Sequence, residues 1–387
     1  MITLLGKLFI HTSDPMKQRK YYGTLCSITG IVLNIFLFLG KYLAGVLSGS
    51  IAITADAFNN LSDAGSSFIT LIGFLFSGKK PDLEHPFGHG RFEYISGFIV
   101  SLAILLMGVE LFKSSVGKII HPEAVDSSPL ALAILLASIL VKLYMAIYNH
   151  TYGQRFDSAA MKATATDSLS DMVSTSVVLI SMLALQFFHW NIDGFCGLFV
   201  AIFILYAGLQ ASKETLDPLL GLAPDPDFVQ KVEELVLSYP LVEGIHDLIV
   251  HDYGPGRLML SLHAEVPGDE DIFLLHDEID QIEHHLRQTL NCEAVIHMDP
   301  IETNNEEVNK NKNLIAEKLK KIHPDITIHD FRMVMGYTHS NVIFDAVIPF
   351  ELELSPKEIR EKISTQVKEI NPTFETVVTL DAPYTKK

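Results

Sequence analysis

The chain has 387 residues, 48% of them hydrophobic and only 19% charged, with a mean hydropathy of +0.28, too apolar for an ordinary water-soluble domain of this length. Its formal charge of −17 is unevenly placed: residues 1–213 carry 14 basic against 13 acidic side chains, residues 214–387 carry 15 against 33. One part suits lipid and the other water, and a nucleic-acid binder, which needs a basic face, is excluded.

A hydrocarbon layer about 30 Å thick needs about 20 mostly apolar residues per helix. Six such runs follow one another, near 25–47, 51–77, 94–112, 130–148, 159–188 and 194–211. The first is too long for a signal peptide, lacks a small-residue cleavage site and precedes five further spans. Lys17, Arg19 and Lys20 stand before the first span, Lys79, Lys80 and Arg91 between the second and third, Arg155 and Lys162 between the fourth and fifth. These segments, with both termini, are expected on the cytoplasmic face of a plasma (inner) membrane. The opposite loops, 48–50 and 189–193, are short or weakly charged, although Lys113 and Lys118 stand at the outer end of the third span.

Beyond residue 216 the pattern changes to soluble alternation. It predicts a helix over 226–238, strands over 245–250 and 258–266 around a Gly-Pro-Gly turn, a helix over 271–290 and a strand over 294–297. The same order returns as a helix near 305–322, strands over 326–335 and 341–348, a helix over 356–370 and a strand over 374–380. Text repeats with it: IHD at 245–247 and 328–330, HAEVP at 263–267 answered by DAVIP at 345–349, VIHMDP at 295–300 answered by VVTLDAP at 377–383. The expected fold is therefore a membrane all-α six-helix bundle (21–213) after a cytoplasmic segment (1–20), followed by an α+β, ferredoxin-like cytoplasmic module (214–300) and its duplicate (301–387). Three cysteines, Cys26, Cys196 and Cys292, form no CxxC pair, against a disulfide framework or a thiolate zinc site.

An acidic side chain inside a span costs roughly 2.5–3.5 kcal/mol on insertion scales and marks function by default. The second span places Asn59 and Asp63 at i and i+4, on one helix face; the fifth places Asp167 and Asp171 at the same spacing. Facing each other, the two pairs offer a cage of oxygen donors for a divalent cation. Hard oxygen without imidazole or thiolate suits Mn2+, Mg2+ or Fe2+ better than Zn2+. Close, poorly solvated carboxylates also repel one another and hold protons that an arriving ion must expel, so metal and protons compete for one place. A proteolytic aspartate dyad explains less, because four donors exceed its needs and no Gly-x-Gly-Asp segment occurs. A membrane-anchored metal sensor without transport fits the acidic tail but leaves the carboxylates within the spans unexplained.

Six spans, the paired polar positions, the His-Pro-Phe-Gly-His-Gly-Arg segment at 85–91 and a module ending in VIHMDP together resemble the cation diffusion facilitator family over roughly residues 15–300. The resemblance implies a homodimer in the lipid bilayer, with no resident cofactor and no enzymatic reaction, that exchanges cytoplasmic divalent metal for outside protons by alternating access. Asn59, Asp63, Asp167 and Asp171 would be its transport site. Zinc-moving members usually carry His or Asp at the position of Asn59 and His at that of Asp167, so the Asn/Asp and Asp/Asp pairs resemble the manganese-exporting branch, with Zn2+ or Fe2+ export as the alternative. Asp82, His85 and His89 match a second metal site in the loop after the second span, and Arg91 and Asp217 match a family charge pair. His246, His263, His276, His297 and Asp299 match positions that bind regulatory divalent metal between paired cytoplasmic domains. The second module keeps only His329, Asp345 and Asp381, with Thr379 where the first has His297, so weaker or no metal binding is expected there.

Overall fold

The computed structural model describes residues 2–10, 12–48, 51–121, 129–188 and 193–385. It divides into two compact units, Met1–Leu222 with Asp252–Gly256, and Ala223–His251 with Arg257–Lys387. The expected outer-loop residues 49–50 and 189–192 lie outside the described residues.

The first unit is helical. A short helix, α1 (Ile2–Phe9), which the apolar runs do not announce, precedes six long ones: α2 (Pro15–Ser48), α3 (Ile51–Ser77), α4 (Phe92–Ile120), α5 (Pro129–Arg155), α6 (Ala159–Phe188) and α7 (Asp193–Leu220). Helix α2 starts ten residues ahead of its apolar run because Asp14 accepts hydrogen bonds from the backbone N–H groups of Met16 and Lys17 (2.9 and 3.3 Å), with Pro15 at the first helical position. Among the described residues, four stretches are long and apolar enough to cross a membrane: Pro15–Ala44, Phe92–Ile120, Leu132–Arg155 and Gly194–Leu220.

Helices α2 and α3, α4 and α7, and α5 and α6 pack as close neighbours. One core joins Tyr22, Cys26, Phe74, Met145, Tyr148, Tyr152 and Met161; another joins Val100, Ile104, Ala163, Val200 and Ile204. Large apolar side chains also face outward, among them Phe36, Leu106, Leu140 and Phe199, the surface of a helix solvated by lipid. Polar ties fix the helices against one another. Arg19 donates to both carboxylate oxygens of Glu93 (3.2 and 2.8 Å) and to the carbonyls of Phe156 and Asp157, while Ser158 Oγ also donates to Glu93. One buried carboxylate thereby joins α2, α4 and the connection between α5 and α6.

The second unit holds helix α8 (Pro226–Val236), strands β1 (Gly244–Asp252) and β2 (Leu258–Pro267), helix α9 (Ile272–Leu290) and strand β3 (Cys292–Ile301). Helix α10 (Glu306–Leu319), β4 (Thr327–Met335), β5 (Ser340–Val347), α11 (Pro356–Lys368) and β6 (Phe374–Asp381) follow in the same order. The sheets run β1-β2-β3 and β4-β5-β6. Strands β2 and β3 are parallel, as are β5 and β6, and β4 is antiparallel to β5. Each sheet has its own apolar core, Val232, Leu262, Ile282 and Leu286 in the first and Ile315, Val342, Phe344 and Ile363 in the second. Asp225, Asp271, Asn305 and Ser355 cap the four helices, Ser355 in a reciprocal pair with Glu358.

Candidate metal centre

Asp63 on α3 and Asp167 and Asp171 on α6 each offer a carboxylate oxygen, and the three lie within 4.8 Å of one another. The i,i+4 spacing puts both α6 carboxylates on one face. A Thr70–Thr164 hydroxyl contact of 3.0 Å holds that face against α3. Oxygens sharing an ion at about 2.1 Å stand about 3–4 Å apart, so only a small contraction separates this arrangement from a coordination shell. Asp167 is 7% exposed. Asn59, one turn before Asp63, is exposed instead.

The fourth member of the cluster belongs to none of the sequence motifs. Lys142 on α5, 2% exposed, places Nζ 2.6 Å from Asp63 Oδ2 and 2.6 Å from Asp171 Oδ2. A lone lysine inside an apolar run was itself the signal, since a charge at that depth requires a partner.

In the loop between α3 and α4, Asp82, His85 and His89 also gather within 4.8 Å. Asp82 lies 3.4 Å from His85 Nδ1 and 3.5 Å from His89 Nε2. Lys79, donating to Asp82 at 2.7 Å, and the backbone N–H of His85 hold the Asp82 carboxyl well below the usual carboxylate range. Of the implied pair Arg91–Asp217, Arg91 donates instead to the backbone carbonyl of Asp252 (3.0 and 2.7 Å) and lies over the Tyr253 ring. A main-chain carbonyl satisfies the guanidinium fork as well as a carboxylate does, and no Arg91–Asp217 ion pair occurs among the described residues.

In the second unit, β1, β2 and β3 bring His246, His263 and Asp299 within 4.8 Å. Asp299 Oδ2 lies 2.8 Å from His263 Nδ1 and 3.1 Å from His246 Nε2. His297, beside His263 in the parallel register, reaches Asp299 at 3.3 Å but is largely exposed. His276 stands apart on the exposed face of α9, 3.5 Å from Asp280. The cluster does not stop at the first sheet. His246, Asp247 and His329 form a further group, and His329, Asp345 and Asp381 another. Burial, with His246 alongside, holds His329 below its ordinary value; burial, with Asp247 and Asp345 nearby, raises Asp381.

Residues 27–220 match the cation efflux transmembrane domain and residues 224–301 the cation efflux protein cytoplasmic domain. An uncharacterized transporter of Methanocaldococcus jannaschii is 33% identical over 276 residues, 71% of this chain and 97% of that protein. The cation-efflux pump FieF of Escherichia fergusonii is 28% identical over 288 residues, 73% of this chain and 95% of the pump. FieF of Salmonella arizonae is 28% identical over 299 residues, 76% and 99% respectively.

Proposed function

This chain belongs to the cation diffusion facilitator family and is a membrane-integral cation efflux transporter, and we propose that it exports divalent metal, Mn2+ foremost, in exchange for protons. The observation that carries this reading is the convergence of Asp63, Asp167 and Asp171 from α3 and α6, an all-oxygen donor set suited to a hard ion. All six helices α2–α7 cross the membrane, with both termini in the cytoplasm. Two copies associate through their cytoplasmic parts. The tail is a duplication, supported by the shared order of elements and the two IHD segments.

Lys142 alters how the charge of the site is balanced. Three carboxylates in a poorly solvated place need compensation, and the ammonium supplies part of it from within the chain. An incoming divalent ion shares or displaces that ammonium at Asp63 and Asp171, and protons supply the remainder once the ion has left. Exposed Asn59 reaches the ion only if the outer turn of α3 rotates inward. The Asp82–His85–His89 loop is a second capture point, and His246, His263 and Asp299, joined by His297, form a regulatory site whose two or three imidazoles favour borderline ions. His276 does not join it within this chain.

In proteoliposomes with an imposed pH gradient, Mn2+ uptake is expected in the wild type and background flux in Asp63→Ala and Asp171→Ala. Uptake unchanged in both variants rejects the site. Uptake that survives collapse of the gradient rejects proton coupling, and a wild type that moves Zn2+ or Fe2+ in preference to Mn2+ replaces the ion.

A further inference from the structure

We propose that the second cytoplasmic sheet holds its own divalent-cation site, built from His329, Asp345 and Asp381 and completed by Asp247 from the first sheet. It needs only binding and so stands apart from the transport reading. It also reverses the expectation of weak or absent binding drawn from Thr379.

The backbone sets the ligands out. His329 on β4 and Asp345 on β5 are cross-strand partners, and Asp381 ends β6 opposite Val347 of β5, so each strand contributes one ligand. Asp247 arrives from β1 in the left-handed region, φ 51°, and Asp330, its counterpart in the second IHD, has φ 48°. Non-glycine residues adopt that conformation at a cost, and the strain recurs at the two residues that pass between the sheets. Asp247 Oδ1 lies 3.8 Å from His329 Nε2. The His246 and His329 rings stack at 4.0 Å, which places the site beside the one formed by His246, His263 and Asp299.

A second, independent observation points to a ligand. His329 is 6% exposed, yet neither of its ring nitrogens has a hydrogen-bond partner among the described residues. Its nearest acid, Asp381 Oδ2, stands 3.5 Å away from Nε2. A buried imidazole left unbonded is costly. Three carboxylates around it repel one another, and a cation among them removes both penalties. One imidazole and three carboxylates form a harder donor set than the two imidazoles and one carboxylate next door, so the second site takes Mn2+ or a similar ion where the first favours Zn2+.

The test uses the purified full-length protein, with bound Mn2+ counted from the loss of its free-ion electron paramagnetic resonance signal. Asp381→Asn and Asp345→Asn, each with native circular dichroism, are expected to lose one Mn2+ per chain, or to weaken it by about 10- to 100-fold. An unchanged Mn2+ count in these folded variants overturns the site. Thr379→His restores the imidazole that the first sheet has at His297, next to Asp345 in register, and is expected to tighten Zn2+ about tenfold. Should the asparagine variants fail to fold, Thr379→His decides: tighter Zn2+ supports the site and unaltered Zn2+ overturns it.

Discussion

Lys142 holds Asp63 through a buried contact of 2.6 Å and makes a second of equal length to Asp171, so an ammonium from α5 already stands between carboxylates of α3 and α6. A tethered cation at that point competes with any free one. Removing one partner of such a pair costs about 3–5 kcal/mol, because the remaining charge is left uncompensated.

Lys142→Met should therefore bind Mn2+ more tightly and release it more slowly. About a tenfold fall in KM, or about 1.4 kcal/mol, is expected together with a lower kcat, read from initial uptake rates in proteoliposomes. Lys142→Arg keeps the charge and should leave KM nearer the wild type. A lysine that only supports packing would lower kcat in both variants with KM unmoved.

Arg19 and Glu93 form a further ion pair of the helical unit, with Glu93 2% exposed. Arg19→Ala should destabilise the unit by about 3–5 kcal/mol, measured as a fall in thermal unfolding temperature. Adding Glu93→Gln should recover part of the loss, since no unpaired charge then remains buried. A double variant as unstable as the sum of the two singles would show that the ion pair itself carries no coupling.

The fold was legible wherever a period was. Alternation placed every strand of the second unit, and the 3.6-residue repeat put Asp167 and Asp171 on one face of α6. Long-range pairing has no period. Lys142 sits in an apolar run 79 residues from Asp63, and nothing local tells which carboxylates it meets. Asp247 and Asp330 were visible as repeated text, but their left-handed backbone was not, because non-glycine residues reach it through tertiary constraint. The Arg91–Asp217 pair failed for a related reason: the Asp252 carbonyl that takes the guanidinium has no sequence signature at all.

His329 gives the cytoplasmic unit a pH dependence whose sign can be fixed. Its folded value lies below the ordinary 6.5, so between the two values the unfolded chain binds more protons and stability rises with pH. The contribution is complete above about pH 6.5 and is lost as the pH falls toward the folded value. Asp330 and Asp381, both raised from 3.8 mainly by burial, act oppositely, and their stabilisation fades as the pH rises through their folded values. The difference between wild type and His329→Gln in metal-free chemical unfolding isolates the histidine. The wild type should lose stability relative to the variant below pH 6.5, and parallel curves would contradict this.

Selectivity for the ion should depend unequally on the two positions where the zinc-moving pattern is broken. Asp167 is 7% exposed and within 4.8 Å of Asp63 and Asp171, whereas Asn59 is exposed. An imidazole at 167 enters the donor set directly and softens it toward Zn2+. Asp167→His alone should thus raise the ratio of kcat/KM for Zn2+ over Mn2+ by about tenfold, or about 1.4 kcal/mol, with Asn59→His adding little. The check is competition between the two ions in the same vesicles. Equal effects of the two substitutions would put Asn59 at the ion during transport, by rotation of the α3 turn that carries it, and no effect of either would defeat the donor-hardness argument for Mn2+.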